Sequence, residues 1–339
     1  MPHPPAQAVT PIAFIHAMLL GYRKHGKDPA AALREAQITP SQLRRPRSRI
    51  TAAQLEGFAR QAMQELDDEA LGWFSRRLPW GSYGMLARAS LTAPTLGVAL
   101  ARWCRHHGLL TEDIRFSLTT QGATAQLTID ERTGLGAMRE FCLLTSLRNV
   151  HGVASWLVDS RLPLIEASFP FAAPPHRAVY PLLFPGPVRF GAAQAGFSFD
   201  AQYLRLPLRR DERALQAMLQ RALQLIVLPY RRDRLLVQRV RELLRERAAE
   251  LRSALALAEA LHLSVRTLHR QLREEGASLQ GLKDEVRRDQ AMELLRRTRR
   301  PVKQIALAVG FDNEKSFSRA FRQWTGQPPS QFRRGSPTL

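Results

Sequence analysis

The chain has 339 residues, of which 45% are hydrophobic, a length and composition typical of two globular domains with cores of their own. The formal net charge is +20, and residues 231–339 hold 24 basic and 13 acidic residues, so +11 of it lies in about a third of the chain. This distribution favours a polyanionic partner, although a basic soluble protein would show the same charge. Two cysteines exclude a disulfide framework and a zinc-finger pattern.

The chain begins with an apolar run over residues 12–20. The run lacks a basic leading region and a small-residue cleavage site, and Thr10 followed by Pro11 is typical of an N-cap and the first position of a helix. We therefore expect neither a signal peptide nor a membrane span. Since Cys104 and Cys142 give no sign of an oxidising compartment, we expect a cytoplasmic protein.

The N-terminal two thirds of the chain alternate between helix and strand patterns. Helical periodicity predicts helices over 11–25, 29–38, 51–66, 94–109 and 136–158. Alternating runs predict strands over 114–118, 125–130, 164–169, 188–190 and 197–199. Residues 78–84, LPWGSYG, are expected to form a loop, and the lack of a strand–GxxxxGK–helix context favours a plain turn over a phosphate cradle there. The order of elements predicts an α+β domain.

Aromatic residues of this region are candidates for the walls of a ligand pocket. They are Trp73, Phe74, Trp80, Tyr83, Trp103, Phe141 and Trp156. Most such side chains are more typical of a core, so we assign no effector-contacting residue. The sequence gives no reason to expect a cofactor, a metal or a catalytic residue.

A helix that starts at Asp211 is expected to end at Pro229, and we place the domain boundary there. The chain then divides into an N-terminal domain, 1–228, and an all-α C-terminal domain, 229–339. The C-terminal domain is predicted to begin with a helix over 231–247. The inward residues of this helix are expected to be Leu236, Val240 and Leu243.

The segment from 302 to 326 has the pattern of a helix, a tight turn and a second helix. Gly310 stands where the first helix would end, because glycine accepts the backbone conformation of such a turn. In the second helix Phe317, Phe321 and Trp324 recur at i, i+4 and i+7 and form one apolar stripe. The opposite side of this helix carries Lys315, Arg319 and Arg322.

A second copy of this pattern lies 48 to 49 residues upstream, over residues 255–276. Leu268 and Leu272 take the places of Phe317 and Phe321. The opposite side again carries three cations, Arg266, Arg270 and Arg273. One charged helix face is usually only a solvated surface, but the same three basic positions in both copies indicate contact with DNA.

A helix over 282–297 is predicted to join the two motifs. Its inner face is expected to comprise Val286, Leu294 and either Gln290 or Ala291. A basic run over 296–300 follows, and it is either a phosphate contact or an exposed charged loop.

The segment GFDNEKSFSRAFRQWTGQPPSQFR, residues 310–333, resembles the second helix-turn-helix of the AraC/XylS family of bacterial transcription regulators. The segment LHLSVRTLHRQLREEG, residues 261–276, resembles the first. The resemblance covers roughly residues 234–334. It implies two helix-turn-helix units, held by one long helix, that read two adjacent major-groove segments of double-stranded DNA.

We expect Arg266, Arg270, Lys315 and Arg319 to face bases or nearby phosphates, since arginine forks onto guanine and phosphate. The two reading helices are expected to be capped by Ser264 and by Asn313 or Asp312, and Glu314 either reads a cytosine amino group or faces solvent. The full set of expected DNA-binding residues is Ser264, Arg266, Thr267, His269, Arg270, Arg273, Asn313, Lys315, Ser316, Ser318, Arg319 and Arg322.

Four sequence segments of the N-terminal domain resemble the sensing domain of an AraC-type subgroup that carries the label arabinose-binding. They are residues 68–72, 78–84, 90–97 and 187–191. The label does not imply arabinose here. The resemblance implies a sensing and dimerisation domain, a homodimer, RNA polymerase as a partner, and an activator controlled by an unknown small effector.

Two other classes remain as alternatives. A DNA-repair methyltransferase with this type of helix-turn-helix needs a zinc–thiolate cluster and a reactive cysteine in a Pro-Cys-His setting. The nearest match is Cys104-Arg105-His106-His107, which lacks both, so we expect no enzyme. A nucleoid-type protein would instead bind DNA without sequence preference.

Overall fold

The computed structural model describes residues 9–220, 235–247, 251 and 253–334. The chain divides into two compact units, and the division falls between Arg231 and Arg232. We call them the N-terminal and the C-terminal domain. The predicted boundary at 228–229 lies outside the described residues, as does the predicted continuation of the Asp211 helix to Pro229.

The N-terminal domain contains helices and strands in alternation. Its helices are α1 (Ala13–Lys24), α2 (Ala30–Glu35), α3 (Pro40–Arg44), α4 (Ala52–Leu66), α5 (Ser82–Leu91), α6 (Leu96–Leu110), α7 (Arg139–Leu157), α8 (Tyr180–Leu183) and α9 (Glu212–Leu219). Its strands are β1 (Thr10–Pro11), β2 (Arg49–Ile50), β3 (Ile114–Gln121), β4 (Thr124–Glu131), β5 (Leu164–Phe169), β6 (Val188–Phe190) and β7 (Ala195–Asp200). The predicted α+β class is confirmed.

A five-stranded sheet forms one layer of the N-terminal domain, in the order β3-β4-β7-β5-β6. Neighbouring strands are antiparallel except β5 and β6, which are parallel. Gly196 lies where β4 comes close, since a Cβ atom there would stand 2.7 Å from the carbonyl oxygen of Leu127. The long helix α7 is buried along most of its length and supplies much of the core.

Several predicted helix starts are confirmed by their caps. The Thr51 hydroxyl accepts a hydrogen bond from the Gln54 N–H at 3.2 Å and begins α4. The Asp211 carboxylate accepts one from the Ala214 N–H at 2.7 Å and begins α9. Because each cap is a local interaction between residues three apart, the sequence pattern suffices to locate it.

Two predictions in the N-terminal domain are wrong. Thr10 does not cap α1, since Thr10 and Pro11 form β1 and pair with β2, and α1 starts after Ile12 without a side-chain cap. The expected loop over 78–84 ends early, because Ser82 begins α5. Both differences come from partners distant in sequence: β2 in the first case and Glu69 in the second.

All the described secondary structure of the C-terminal domain is helical. Its helices are α10 (Leu235–Glu246), α11 (Ala254–Ala260), α12 (Val265–Glu274), α13 (Leu279–Arg297), α14 (Val302–Ala308), α15 (Glu314–Thr325) and α16 (Pro329–Arg334). The helices α11 and α12 form the first helix-turn-helix, HTH1, and α14 and α15 form the second, HTH2. The joining helix α13 has 19 residues, which at ~1.5 Å per residue is ~28 Å.

The joining helix contributes to two separate cores. Its N-terminal half places Leu282 and Val286 in the core of HTH1. Its C-terminal half places Ala291 and Leu295 in the core of HTH2. The expected inner residue Leu294 is only partly buried, because the buried stripe changes phase between the two cores.

Of the other predicted inner residues, Leu243 differs, and of the alternatives Gln290 and Ala291 the buried one is Ala291. In α10 the buried residue is Leu244, and the predicted Leu243 packs at the edge of the HTH1 core. Gln290 is half-buried, and its amide donates to the Arg245 carbonyl at 3.5 Å. In the described part of the chain, we find no helix that combines the length and the apolar character needed to cross a bilayer.

Candidate nucleic-acid interface and ligand cavity

HTH2 has the turn that its sequence predicts. Gly310 follows α14 with φ +84°, in the left-handed region that glycine accepts at little cost. The Phe311 N–H then donates to the Ala306 carbonyl at 2.9 Å, which closes the helix end. The Asn313 side-chain oxygen accepts from the Ser316 N–H at 2.8 Å and starts α15. The cap is therefore Asn313, and Asp312 does not serve as one.

HTH1 repeats this backbone path with different residues. His262 stands 48 positions before Gly310 and adopts φ +55°. The Leu263 N–H donates to the Ala258 carbonyl at 2.8 Å, as Phe311 does in HTH2. The Ser264 hydroxyl accepts from the Thr267 N–H at 3.1 Å and starts α12. The internal repeat read from the sequence is thus also a repeat of turn and cap geometry.

The buried and the charged faces of both reading helices are separated as predicted. Leu268, Leu272, Phe317 and Phe321 are each 0% exposed. The cations on the opposite sides are all exposed; we call Arg266, Arg270 and Arg273 the first basic ridge, and Lys315, Arg319 and Arg322 the second. The folded chain therefore presents both ridges to solvent, where a phosphate or a base edge can reach them.

The two ridges differ in their internal pairing. Arg270 forms an exposed ion pair with Glu274 at 3.1 Å, one turn further along α12. The corresponding positions in α15 are Arg319 and Gln323, and Gln323 carries no charge. Among the described residues, Arg270 is the one ridge cation that forms a salt bridge, and Arg319 forms none. Arg319, the central cation of the second ridge, can therefore contact a partner without first breaking an ion pair.

The remaining predicted DNA-binding residues divide into two groups. Ser264, Thr267, Asn313 and Ser316 lie at the starts of the reading helices, where Ser264 and Asn313 use their side-chain oxygens as caps. His269 is exposed beside Arg270, and Ser318 is half-buried at the matching place in α15. Glu314 is exposed at the first position of α15.

A buried acid that the sequence reading missed holds HTH1 in place. Glu275 is 9% exposed, and its carboxylate accepts from the N–H groups of Leu236 at 3.2 Å and Val237 at 2.7 Å. These donors lie at the start of α10, where helix N–H groups lack partners within the helix. Glu275 continues the apolar stripe of Leu268 and Leu272 at i+7. An acidic residue in a buried stripe is the sequence pattern from which its role could have been predicted.

Two arginines tie the joining helix to its neighbours. Arg241 of α10 pairs with Glu285 of α13 at 2.6 Å. Arg287 of α13 lies over the Phe311 ring at 5.2 Å and donates to the Gly310 carbonyl at 3.4 Å. These contacts fix α13 against α10 and against the turn of HTH2.

The N-terminal domain contains a cavity of about 270 Å³ whose walls combine aromatic, aliphatic and polar residues. Four of the seven aromatic candidates line it, namely Trp73, Trp80, Tyr83 and Trp103. Polar side chains of α7, Thr145, Ser146 and Asn149, form part of another wall. Phe74 and Trp156 are buried elsewhere in the core. The volume is near the lower end of the range for small-molecule sites, ~300–1,000 Å³.

Among the described residues, one carboxylate lines this cavity. Glu69 is 8% exposed, and its two oxygens accept from the N–H groups of Gly81 at 2.8 Å and Tyr83 at 2.7 Å. Burial raises the pKa of the Glu69 carboxyl above its ordinary value, and the two N–H donors act against this rise. Glu69 thus caps α5 from a distance, which explains why the loop prediction failed.

The mouth of the cavity carries a paired cation. Arg88 donates to Glu212 at 2.8 and 3.0 Å, and its side chain is 48% exposed.

Asp68, beside Glu69, accepts from the Ala70, Gly72 and Leu78 N–H groups and fixes the loop that carries Trp73.

The two cysteines lack the features of a reactive site. Cys142 is buried, and burial raises the pKa of the Cys104 thiol to about 11, so that it stays protonated at neutral pH. Among the described residues, no group of three or more His, Cys, Asp or Glu side chains is placed to hold a metal ion. The Cys104–His107 segment therefore offers no thiolate cluster for repair chemistry.

An N-terminal α+β domain with a cavity, followed by two helix-turn-helix units with exposed basic ridges, defines the class of helix-turn-helix transcription regulators. Residues 26–208 match the family model described as the arabinose-binding domain of AraC transcription regulator, N-terminal, and residues 257–335 match a helix-turn-helix domain. The chain belongs to the AraC-type transcription regulators, a family of regulators and not of enzymes.

The chain is also similar to individual regulators. The ornithine utilization regulator of Pseudomonas aeruginosa is 27% identical over 326 residues, which is 96% of each chain. The arabinose operon regulatory protein of Escherichia coli is 37% identical over 81 residues, 24% of this chain and 28% of its own length. The solved structure of the transcriptional regulator CdpR from Pseudomonas aeruginosa is 22% identical, with a TM-score of 0.34, and covers 95% of this chain and 98% of its own.

Proposed function

We propose that this regulator binds DNA in a sequence-specific manner and places α12 and α15 in two adjacent major-groove segments of one duplex. The observation that carries the proposal is the repeat of three exposed cations, each on the face opposite a fully buried apolar stripe. A helix of this kind fits the major groove, where base edges present distinct donor and acceptor patterns.

The expected contacts follow from the chemistry of the side chains. Arg266, Arg270 and Arg319 can each donate two hydrogen bonds to guanine, worth ~1–3 kcal/mol of discrimination per good pair. Lys315 is a single point charge and fits a phosphate or one guanine acceptor. The outer cations Arg273 and Arg322 are assigned to phosphates. The joining helix, at ~28 Å, supports a separation of the reading helices close to one DNA turn, ~34 Å.

The N-terminal domain is proposed to bind a small effector and to control transcription as an activator. The aromatic cavity supports this assignment, because a concave and largely apolar site with a few polar groups is typical of small-molecule binding. The name of the Pseudomonas relative refers to ornithine utilization and agrees with control by a metabolite. A cytoplasmic homodimer that contacts RNA polymerase completes the proposal.

A binding selection from randomised duplexes tests the DNA part. The full chain should enrich one sequence with two conserved blocks, and it should prefer the selected duplex over unrelated DNA by ~10³-fold or more at physiological salt. Equal affinity for all duplexes, with a steep salt dependence only, would instead identify a nucleoid-type protein.

A reporter assay tests the regulatory part. A promoter that carries the selected site should give more transcript when the regulator and a metabolite extract are both present than with the regulator alone. Lower transcript under the same conditions would assign a repressor, and no dependence on the extract would remove the effector from the proposal.

A further inference from the structure

The cavity of the N-terminal domain is more specific than a general apolar pocket. Its walls combine Trp73, Trp80, Tyr83 and Trp103 with Glu69 as the buried charge. The rings of Tyr83 and Trp103 are stacked, with centroids 6.2 Å apart and an interplanar angle of 25°. Aromatic faces are electron-rich and attract cations, and a carboxylate among them adds to this attraction.

The charges around the cavity are unbalanced in favour of a cation. In the described part of the chain, Glu69 has no basic partner, since its two oxygens accept only backbone N–H groups. Among the described residues of the lining, the one cation is Arg88, which lies at the mouth and is paired with Glu212. A buried carboxylate gains most from a ligand that carries the opposite charge.

Three unsatisfied polar atoms of the cavity wall, the indole N–H groups of Trp73 and Trp103 and the Ser146 hydroxyl, point to a second feature of the ligand. The indole N–H groups of Trp73 and Trp103 are buried and have no hydrogen-bond acceptor among the described residues. These side chains are 6% and 2% exposed and belong to the cavity wall. Buried donors are normally satisfied, so a ligand that carries an acceptor oxygen fits this wall better than a hydrocarbon one.

We propose that the cavity binds a small organic cation, an aliphatic ammonium compound that also carries an acceptor oxygen, with the ammonium between the aromatic rings and Glu69. This inference rests on the proposed effector function of the domain. Amino alcohols and basic amino acids have this chemistry, whereas fatty acids have the opposite charge at their polar end.

A matched series of probes tests the charge. The probes are 5-aminopentan-1-ol, pentane-1,5-diol and 6-hydroxyhexanoate, which keep the hydroxyl group and differ in the charge at the other end. Three of the five tryptophans line the cavity, so intrinsic fluorescence of the full chain reports binding directly. We expect the amino alcohol to bind at least roughly tenfold more tightly than the other two.

Variants locate the binding site. Glu69→Gln should weaken binding of the amino alcohol roughly tenfold and leave the diol unchanged. Because Glu69 also caps α5, Trp80→Leu serves as a second variant; Trp80 is 46% exposed, so its loss should spare the fold, and Trp80→Phe should keep most of the affinity. Leu109→Ala, at a side chain 72% exposed on α6, is the matched control and should bind normally.

Arg88→Gln separates the two possible signs of the ligand. With a cationic ligand, this change removes the paired cation and leaves the Glu212 carboxylate unpaired at the mouth, so affinity should stay equal or rise. If Arg88→Gln abolishes binding, or if 6-hydroxyhexanoate binds best, the site recognises an anion and the inference is overturned. A lack of saturable binding by the amino alcohol at ~10 mM, where a millimolar site would be filled, overturns it as well.

The same preparation is used for the DNA selection. Sequence-specific DNA binding without cation binding would remove only this inference. Cation binding without any sequence preference would remove the proposed regulator function and leave the inference standing.

Discussion

HTH1 and HTH2 have the same turn and cap geometry but different cores. The HTH1 core is aliphatic, built on Leu268 and Leu272. The HTH2 core is an aromatic cluster in which the Phe317 and Phe321 rings are 5.6 Å apart and Phe321 meets Phe332 at 5.5 Å. Burial depends on apolar area and fit more than on one residue type, so either set holds a helix in place.

The two units also differ in the turn and along the second helix of each unit. HTH1 places His262 in the left-handed turn and pairs Arg270 with Glu274, whereas HTH2 has Gly310 and Gln323 at these places. HTH1 is further held by Glu275, whose counterpart in HTH2 is Trp324. The comparison indicates that the positions of apolar and basic residues define the unit, and that their identities adjust stability and contact strength.

The largest expected effect comes from the HTH2 core. The double substitution Phe317→Ala and Phe321→Ala should unfold HTH2, because each buried aromatic lost costs ~3–5 kcal/mol. Hydrogen exchange of the full chain should show loss of protection in α14 and α15 and retained protection in α12. Equal loss in α12 would show that the two cores unfold as one, against the separation described above.

The next effect concerns recognition. Arg319→Ala should relax base preference at one or two positions of one block, with a loss of ~1–3 kcal/mol for the preferred base. Arg270→Ala should act on the other block and cost less, because Arg270 gives up its pair with Glu274 to bind. Affinities measured against single-base variants of the selected site compare the two. Uniform weakening at every sequence would make the residue a phosphate contact.

The turns offer a smaller and reciprocal test. Gly310→Ala should destabilise HTH2 by ~1 kcal/mol, since only the backbone conformation opposes it and a Cβ there meets the nearest atom at 3.5 Å. His262→Gly should stabilise HTH1 by a similar amount, ~1 kcal/mol. Urea unfolding measures both. Destabilisation by His262→Gly would mean that the imidazole makes a contribution beyond its place in the turn.

The smallest effect isolates the ion pair. Glu274→Gln removes the acid beside Arg270 and makes HTH1 match HTH2 at this place. Stability should change by only ~0.3–0.5 kcal/mol, as for other exposed pairs, while affinity for DNA should rise because Arg270 is released and a repelling charge is lost. Lower affinity would show that Glu274 orients Arg270 for binding.

The parts of the fold that could be predicted depend on local patterns. Thr51, Ser264 and Asn313 cap helices through residues three positions away, and the stripes of α12 and α15 are periodic. The start of α5 could not be predicted in this way, because Glu69 caps it from 12 to 14 residues away. The phase of α13 was missed at Leu295 because the helix serves two cores.

The distance in sequence between the residues also decides which of the two sites could be predicted. Both basic ridges could be predicted because each lies on one helix. The cavity could not, since Trp73, Trp80 and Trp103 come from separate segments that only the fold brings together. The sequence offered seven aromatic candidates and no means of selecting the four that line the cavity.

We propose that the two reading helices, α12 and α15, are held apart by α13 and bind one duplex at a fixed spacing. The most direct test inserts five base pairs, about half a turn, between the two blocks of the selected site. We predict a loss of affinity of ~10²-fold or more, because one ridge then faces the wrong side of the duplex, while the same insertion outside the site has no effect. Unchanged affinity with the insertion between the blocks would contradict the claim.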